Sequence, residues 1–315
     1  MGVGEPVTKP VTITANGTST VNFTVQPAFY ADDFQSYSNI NDITYGTTNV
    51  VNSLQPGKFG YTPTNTLDFV RARQTDADLT KFALDLTAGP FNDKAFRYDW
   101  PARPTSGPND SYYTREEFRV AAPTPTNMGE LWFRWTDKLS SNFRVGGGTA
   151  TGSQLEYKYF FISTSTASSG VNYGQFQIEM DDAGAVQPSA ELALRAKLID
   201  IVNGSQRLSA TSMGSGGGPG DLLLGASYLG AWHTWVVGAT GLGTSTTTLT
   251  FYLDGVQVLQ ISGPWFPNES IGGANTDIVV EMGANINNGP NQVQSRWWRE
   301  IGVYKSRPSL KPLLP

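Results

Sequence analysis

The stretch Trp232–Ser262, WHTWVVGATGLGTSTTTLTFYLDGVQVLQIS, decides the fold. At its centre Asp254-Gly255 is flanked by alternating apolar residues. This is the strongest short-range signal of a β-hairpin, because a two-residue type I′ turn needs positive φ at both central positions. A further strand precedes the hairpin, so three antiparallel strands follow one another within about 30 residues. The stretch therefore predicts an all-β meander.

The strands beside the turn predict both a pairing and two faces. Counting away from the turn, the expected pairs are Leu253 with Val256, Tyr252 with Gln257, and Phe251 with Val258. Apolar residues fall on one face and mostly polar ones on the other: Leu249, Phe251 and Leu253 against Thr248, Thr250 and Tyr252. We expect the first face to meet a core and the second to meet water.

Composition narrows the class of protein. The chain has 315 residues, with 34 glycines, 19 prolines, 16% charged residues, a net charge of −5 and no cysteine. One large β domain fits this length, and the glycine and proline content fits many turns. There is no basic block for nucleic acid, no run of 18 apolar residues for a membrane span, and no thiol for disulfides or catalysis.

Three segments are expected along the chain. Residues 1–28 read as a hairpin arm around Asn16-Gly17, which must dock on the main body, a neighbouring subunit or a larger assembly because an isolated hairpin is marginal in water. Residues 29–307 form the main domain. Residues 308–315 are a proline-rich tail that cannot join a central strand.

Three motifs, Trp232-His233-Thr234, the hairpin Thr250–Gly255 and the late strand Ile301–Tyr304, occur here in an order that resembles the concanavalin A-like (laminin-G-like) jelly roll. The resemblance covers residues 29–307. It implies an all-β, two-sheet antiparallel jelly-roll sandwich with an N-terminal β-hairpin arm. Lectins, glycanases, polysaccharide lyases and virion proteins share this fold, so it leaves function open.

One strand carries a candidate site. Arg115, Glu117 and Arg119 share a face of a strand, where two guanidinium groups suit a sugar carboxylate; a cross-strand ion-pair ladder is the alternative. The pattern resembles the first signature of the alginate-lyase-like jelly-roll lyases. Gln177-Ile178-Glu179 and Gly302-Val303-Tyr304 resemble two later ones.

This second resemblance implies that Arg115 and Arg119 bind a uronate carboxylate, Gln177 helps to neutralise it, and Tyr304 transfers protons. Glu179 departs from the family, which has histidine at that position, and this puts catalysis in doubt.

Other candidates are weaker. Asp32 or Asp33 predicts either a calcium site or a capped turn, and no other cofactor is expected. Trp298, next to Trp297, is a residue for sugar stacking, a subunit interface or the core. His233, the only histidine, is interpreted as part of the scaffold.

Three functions stay open. The first is a non-enzymatic, exposed structural protein of a phage particle, a head decoration or tail component with some affinity for surface glycans. Residues 1–28 would bind other virion subunits, the chain would be oligomeric, and it would lie on the virion surface, since no apolar export signal begins the sequence. The alternatives are a polysaccharide lyase that cleaves an acidic glycan by β-elimination and a plain carbohydrate-binding module.

Overall fold

The structure is a computed structural model that describes residues 28–39, 51–52, 71–74, 82–100, 114–121, 129–143, 157–166, 172–182, 192–202, 205–209, 222–224, 226–241, 246–263, 276–282 and 293–312. This part of the chain forms two antiparallel sheets and a short 3-10 helix, Ala226–Tyr228. The predicted all-β sandwich is confirmed. The predicted N-terminal hairpin lies outside the described residues, apart from Ala28. Within the same ranges, no helix has the length and apolar character that crossing a membrane would require.

Strands are numbered in chain order. The first sheet contains eight: β1 (Ala28–Asp32), β4 (Phe82–Asp85), β5 (Ala95–Trp100), β7 (Glu130–Leu139), β13 (Trp232–Thr240), β14 (Thr247–Leu253), β15 (Val256–Gly263) and β17 (Gln294–Tyr304). Their order is β15-β14-β13-β7-β17-β5-β4, and β1 also pairs with β17.

The second sheet contains nine strands: β2 (Val51–Asn52), β3 (Arg71–Gln74), β6 (Thr114–Ala121), β8 (Tyr157–Thr166), β9 (Asn172–Asp182), β10 (Leu192–Val202), β11 (Ser205–Ser209), β12 (Leu222–Leu224) and β16 (Thr276–Met282). Their order is β11-β10-β9-β8-β16-β6-β3-β2, and β12 also pairs with β10.

The Asp254-Gly255 turn forms as its sequence predicts. Both residues have positive φ, 50° and 84°, which is the type I′ geometry. Asp254 also anchors the turn to β13, because its Oδ1 accepts a hydrogen bond from the Thr234 backbone N–H at 2.8 Å. The aspartate therefore fixes the hairpin against its neighbour as well as supplying the turn conformation.

Strand pairing follows the prediction for two pairs and then departs from it. The pairs nearest the turn are those expected, Leu253 with Val256 and Tyr252 with Gln257. Phe251 pairs with Leu259, so the predicted pair with Val258 is wrong. The register shifts between Phe251 and Tyr252 because a β-bulge adds one residue on β15.

The core lies between the two sheets. Trp135 on β7 stacks on Phe160 of β8, with ring centroids 4.8 Å apart, and on Trp235 of β13 at 6.0 Å. Tyr159 and Phe160 are consecutive, yet both contact the first sheet, because the β8–β9 register shifts between Lys158 and Phe160. Burial of such large rings is a major favourable term in folding.

The outer face of the first sheet is not the wetted surface that alternation predicted. Thr250 is 8% exposed and Tyr252 only 9%. Tyr252 packs with Trp132 beneath Leu310, which belongs to the segment that follows β17. The proline-rich segment thus covers this part of the face, which explains the burial of Tyr252.

Candidate functional site

One face of the second sheet collects four of the residues that the sequence singled out. Cross-strand pairs form a continuous row over six strands, β3, β6, β16, β8, β9 and β10. In order its members are Arg71, Glu117, Glu281, Phe161, Gln177 and Lys197. Residues directly opposite one another share a face, and alternation along β6 adds Arg115 and Arg119. The structure therefore brings Arg115, Glu117, Arg119 and Gln177 to one face.

This is the face turned away from the first sheet. The Phe160 ring contacts Phe133 and Trp135 of the first sheet, so its position is an interior one. Met282 pairs with Phe160, and Glu281, the next residue along β16, falls on the opposite face by alternation. We call the face that contains Glu281 and the row described above the charged face.

The charged face differs in charge from the chain as a whole. Among the described strand positions it has seven basic residues, Arg71, Arg73, Arg115, Arg119, Lys158, Arg195 and Lys197. It has five acidic ones, Glu117, Glu179, Asp181, Asp277 and Glu281. The excess of two positive charges contrasts with a net charge of −5 for the whole chain. An excess of basic strand positions on one face of an acidic protein favours an anionic ligand there.

Like charges lie opposite one another on this face. Arg73 pairs with Arg115, and Glu117 pairs with Glu281 as well as with Arg71. Directly opposite like charges destabilise a sheet. Opposite charges also face one another here, since Glu179 pairs with both Lys158 and Arg195. The register therefore fits an ion-pair ladder in one part of the face and leaves unbalanced positive charge for an anionic ligand in another.

Tyr304 is not placed with the arginines. It lies on β17 of the first sheet, is 3% exposed, and packs in a cluster with Trp132, Val236 and Tyr252. This cluster is on the outer face of the first sheet, whereas Arg115 lies on the second sheet. Because its ring is buried beneath a different surface, Tyr304 does not serve the charged face in proton transfer, and we correct that expectation.

Trp298 is a core residue, which is one of the three alternatives that the sequence left open, so it does not stack on a sugar. Its ring is 0% exposed and lies against Phe96 at 5.6 Å and the Arg296 guanidinium at 4.7 Å. Its neighbour Trp297 takes the outward position, where the Lys138 ammonium sits 4.6 Å above its ring. Alternation thus buries the second tryptophan of the pair and leaves the first partly exposed.

Asp33 forms a capped turn. Its Oδ1 accepts a hydrogen bond from the Gln35 backbone N–H at 3.1 Å, and its carbonyl oxygen accepts from Gln35 Nε2 and Arg299 Nη1. This is the alternative to calcium that the sequence left open. The Asp32 side chain lies outside the described residues. Within the described ranges, no cluster of three or more His, Cys, Asp or Glu side chains could hold a metal ion.

His233 is tied into the scaffold next to the turn. Its Nδ1 lies 2.7 Å from Asp254 Oδ2, and its Nε2 lies 3.1 Å from the Tyr228 carbonyl oxygen. Its ring also stacks on Tyr228, with centroids 4.0 Å apart. Contacts on both ring nitrogens and a ring face hold the imidazole in place, which agrees with its interpretation as scaffold.

A buried ionic network inside the sandwich was not foreseen from the sequence. Asp137, 1% exposed, accepts hydrogen bonds from Arg296 Nε at 2.7 Å and from the Tyr159 hydroxyl at 2.7 Å. Tyr159 then meets Tyr228, whose hydroxyl accepts from Trp235 Nε1 at 3.0 Å. Burial raises the pKa of the Asp137 carboxyl, and the Arg296 guanidinium acts against that rise.

The network joins five elements: β7, β8, β13, β17 and the 3-10 helix. No local pattern marks its members, because Asp137 and Arg296 are 159 positions apart. Only the alternation of β7 and β17 would hint that both residues face inward. We assign the network to the scaffold, since its charges and hydroxyls serve one another.

Comparison with known proteins gives the fold. No protein-family model matches the chain, and no curated protein matches its sequence. Among solved structures, an alginate lyase is similar with a TM-score of 0.52 and 11% sequence identity, over 90% of this chain and 100% of that one. At this identity the similarity shows a shared fold.

Two further solved structures fall below a TM-score of 0.5. An endo-β-1,4-glucuronan lyase from the fungus Trichoderma reesei has a TM-score of 0.46 and 12% identity, over 77% of this chain and 92% of that one. An alginate lyase from Klebsiella pneumoniae has a TM-score of 0.42 and 12% identity, over 76% of this chain and 88% of that one. The similarity in fold rests on the first alginate lyase alone, and the residues of the charged face must argue for any activity.

Proposed function

We propose that the chain binds an acidic polysaccharide on the charged face and cleaves it by β-elimination. One observation carries the proposal: Arg115, Arg119 and Gln177 share a face on which Arg73 lies directly opposite Arg115. A polymer that carries carboxylates would screen the repulsion between these arginines. The negative charge of such a polymer would complement the positive charge of this face.

β-Elimination needs three contributions: neutralisation of the uronate carboxylate, a base for the proton on C5, and an acid for the leaving oxygen. We assign neutralisation to Arg115 and Arg119, with the Gln177 amide beside them. Tyr304 is buried on the other sheet, so another base is needed. Lys197 lies directly opposite Gln177, and we assign it both remaining roles: its neutral amine takes the proton from C5, and the resulting ammonium protonates the leaving oxygen.

Binding without cleavage is the second candidate. Glu179 stands where the lyase-like motif has histidine, and Tyr304 is buried away from the charged face. Both differences remove a proton-transfer group and leave the cationic residues in place. A carbohydrate-binding module would need only those cationic residues. The virion role and the attachment through residues 1–28 stay predictions.

The test is to offer the protein polymannuronate, polyguluronate, glucuronan and glycosaminoglycans. Cleavage creates an unsaturated uronate that absorbs in the ultraviolet. Arg115→Ala should lower kcat/KM about ten- to hundredfold, since a hydrogen bond to a charged group contributes about 1.5–3 kcal/mol. Arg307→Ala removes the same charge from an exposed position outside the face, so it should leave kcat/KM unchanged.

Lys197→Met separates the two candidates. For a lyase it should abolish product formation while the protein is still retarded by the polymer in affinity electrophoresis. Retardation of the unmodified protein with no absorbing product from any polymer would favour the binding module. If no polymer retards the protein and none yields product, both candidates fail.

A further inference from the structure

The segment after β17 lies in an extended form across the outer face of the first sheet. Its residues alternate between contact and solvent: Pro308 is buried, Leu310 and Pro312 are half-buried, and Ser309 and Lys311 are exposed. A period of two is that of an extended chain with one side against a surface. We call residues 305–312 the covering segment.

An aromatic groove lies beneath it, formed by Trp132, Val236, Tyr252 and Tyr304, with Leu310 packed against these four. All four are at most 9% exposed. The Tyr304 ring lies over Gly302, where an added Cβ would collide with it. The missing side chain lets the ring lie flat, and a flat aromatic floor suits proline and leucine side chains.

Arg134 binds the backbone of the covering segment. Its Nη1 donates to the carbonyl oxygens of Ser309 at 2.6 Å and Lys311 at 3.0 Å, while its Nε donates to Glu300 at 2.8 Å. Arg134 is only 4% exposed, so its position is fixed by the sheet and by Glu300. Recognition of two carbonyls two residues apart selects an extended backbone, whatever the side chains of Ser309 and Lys311 are.

The hairpin turn closes one end of the groove. An added Cβ on Gly255 would lie 2.8 Å from the Leu310 carbonyl oxygen and 3.8 Å from Pro312. The covering segment therefore runs directly against the turn that organises the meander. A site for an extended, proline-containing peptide needs an aromatic surface, a donor to the peptide backbone and room for close approach. The aromatic cluster, Arg134 and Gly255 supply these three features.

We propose that the groove is a peptide-recognition site, filled by its own covering segment in the isolated chain, and that it accepts the covering segment of a second copy. The covering segment of a second copy has the same sequence, so it can make the same contacts once the groove is vacant. Exchange of identical segments is a low-cost way to link protomers. The chain's own covering segment has the higher effective concentration. The segment of a second copy therefore binds only when the chain's own segment is released.

The main test uses the full chain with Leu310→Asp, which disfavours the internal contact and leaves the groove unchanged. The probe is a fluorescein-labelled peptide of residues 305–312, KSRPSLKP, followed by fluorescence anisotropy. The variant should bind it at least tenfold more tightly than the unmodified protein does. Adding Arg134→Gln to the variant should weaken binding at least tenfold, and a probe that carries Leu310→Asp should not bind.

The proposal would be overturned if the folded Leu310→Asp variant did not bind the probe. It would also be overturned if the unmodified protein, the single variant and the double variant bound the probe equally. Should Leu310→Asp fail to fold, the second measurement uses Lys305→Cys, a unique labelling site because the chain has no cysteine. Donor-labelled and acceptor-labelled pools of it should show energy transfer after mixing at high concentration. Loss of transfer with Arg134→Gln would support exchange, and absence of transfer in the starting pair would refute it.

Discussion

The two sheets of the sandwich differ in how they pair their charged residues. In the first sheet opposite charges meet: Asp137 pairs with Arg296 at 2.7 Å and Glu300 with Arg134 at 2.8 Å. In each of these pairs the arginine is at most 4% exposed, and every partner atom is supplied by the chain itself. The arginine and the carboxylate of each pair therefore compensate each other's charge inside the fold.

The second sheet contains like-charged pairs beside opposite ones such as Glu179 with Lys158 and Arg195. Arg73 lies opposite Arg115, and Glu117 lies opposite Glu281. Folding alone would select against such pairs, since they cost stability. The contrast teaches that charge by itself does not mark a site: paired and buried charge belongs to the scaffold, and charge in an unfavourable register points to a ligand.

The largest expected effect comes from breaking the scaffold pair. Arg296→Met leaves the Asp137 carboxylate buried with the Tyr159 hydroxyl and no cation, so the free energy of unfolding should fall by about 3–5 kcal/mol. Chemical denaturation measures the loss. Arg97→Met is the matched control, because Arg97 lies on the neighbouring strand β5 and pairs with Asp85 and Asp99 at a half-exposed position.

The control should cost about 0–1 kcal/mol, as partly exposed ion pairs do. Equal losses in the two variants would show that the buried network is not the scaffold element we assign.

A smaller effect should appear at alkaline pH. Burial raises the pKa of the Tyr159 and Tyr228 phenols, and the nearby charge of Asp137 acts in the same direction. In the unfolded chain they titrate near pH 10, so above that pH the folded state holds protons that the unfolded state releases. Their contribution to stability is present below about pH 10 and is lost as the pH rises, by about 1.4 kcal/mol per pH unit for each tyrosine.

Urea unfolding between about pH 9 and pH 11 measures this slope. Tyr228→Phe removes the hydrogen bonds with Tyr159 and Trp235, so it should lower stability at neutral pH. It should also make the alkaline slope shallower by the share of one tyrosine. An unchanged slope would mean that Tyr228 ionises in the folded protein as readily as in the unfolded one.

Local sequence was sufficient for some features. Asp254-Gly255 dictates its own turn, and alternation places Arg115, Glu117 and Arg119 on one face, because both depend on residues a few positions apart. The bulge that shifts Phe251 from Val258 to Leu259 depends on how two strands coil together, so the alternating pattern does not reveal it.

Features that join distant strands could not be predicted from the local sequence pattern. Gly302-Val303-Tyr304 suggested a catalytic tyrosine, but the glycine is there to accommodate the tyrosine ring against the first sheet. Trp297 and Trp298 must face opposite ways, and nothing local says which is inside. The decision comes from pairing with β7, where Lys138 lies opposite Trp297 and Asp137 opposite Trp298.

The smallest expected effect tests the charged face by stability instead of activity. Arg73→Glu replaces a like-charged pair with an opposite one against Arg115, so the free energy of unfolding should rise by about 0.2–1 kcal/mol. Affinity for an acidic polymer should fall, because a function-linked charge trades stability for binding. Arg97→Glu is the matched reversal on the first sheet, where Asp85 and Asp99 both contact Arg97, and there stability should fall. If the free energy of unfolding changed in the same direction in both variants, the proposed difference between the two sheets would be wrong.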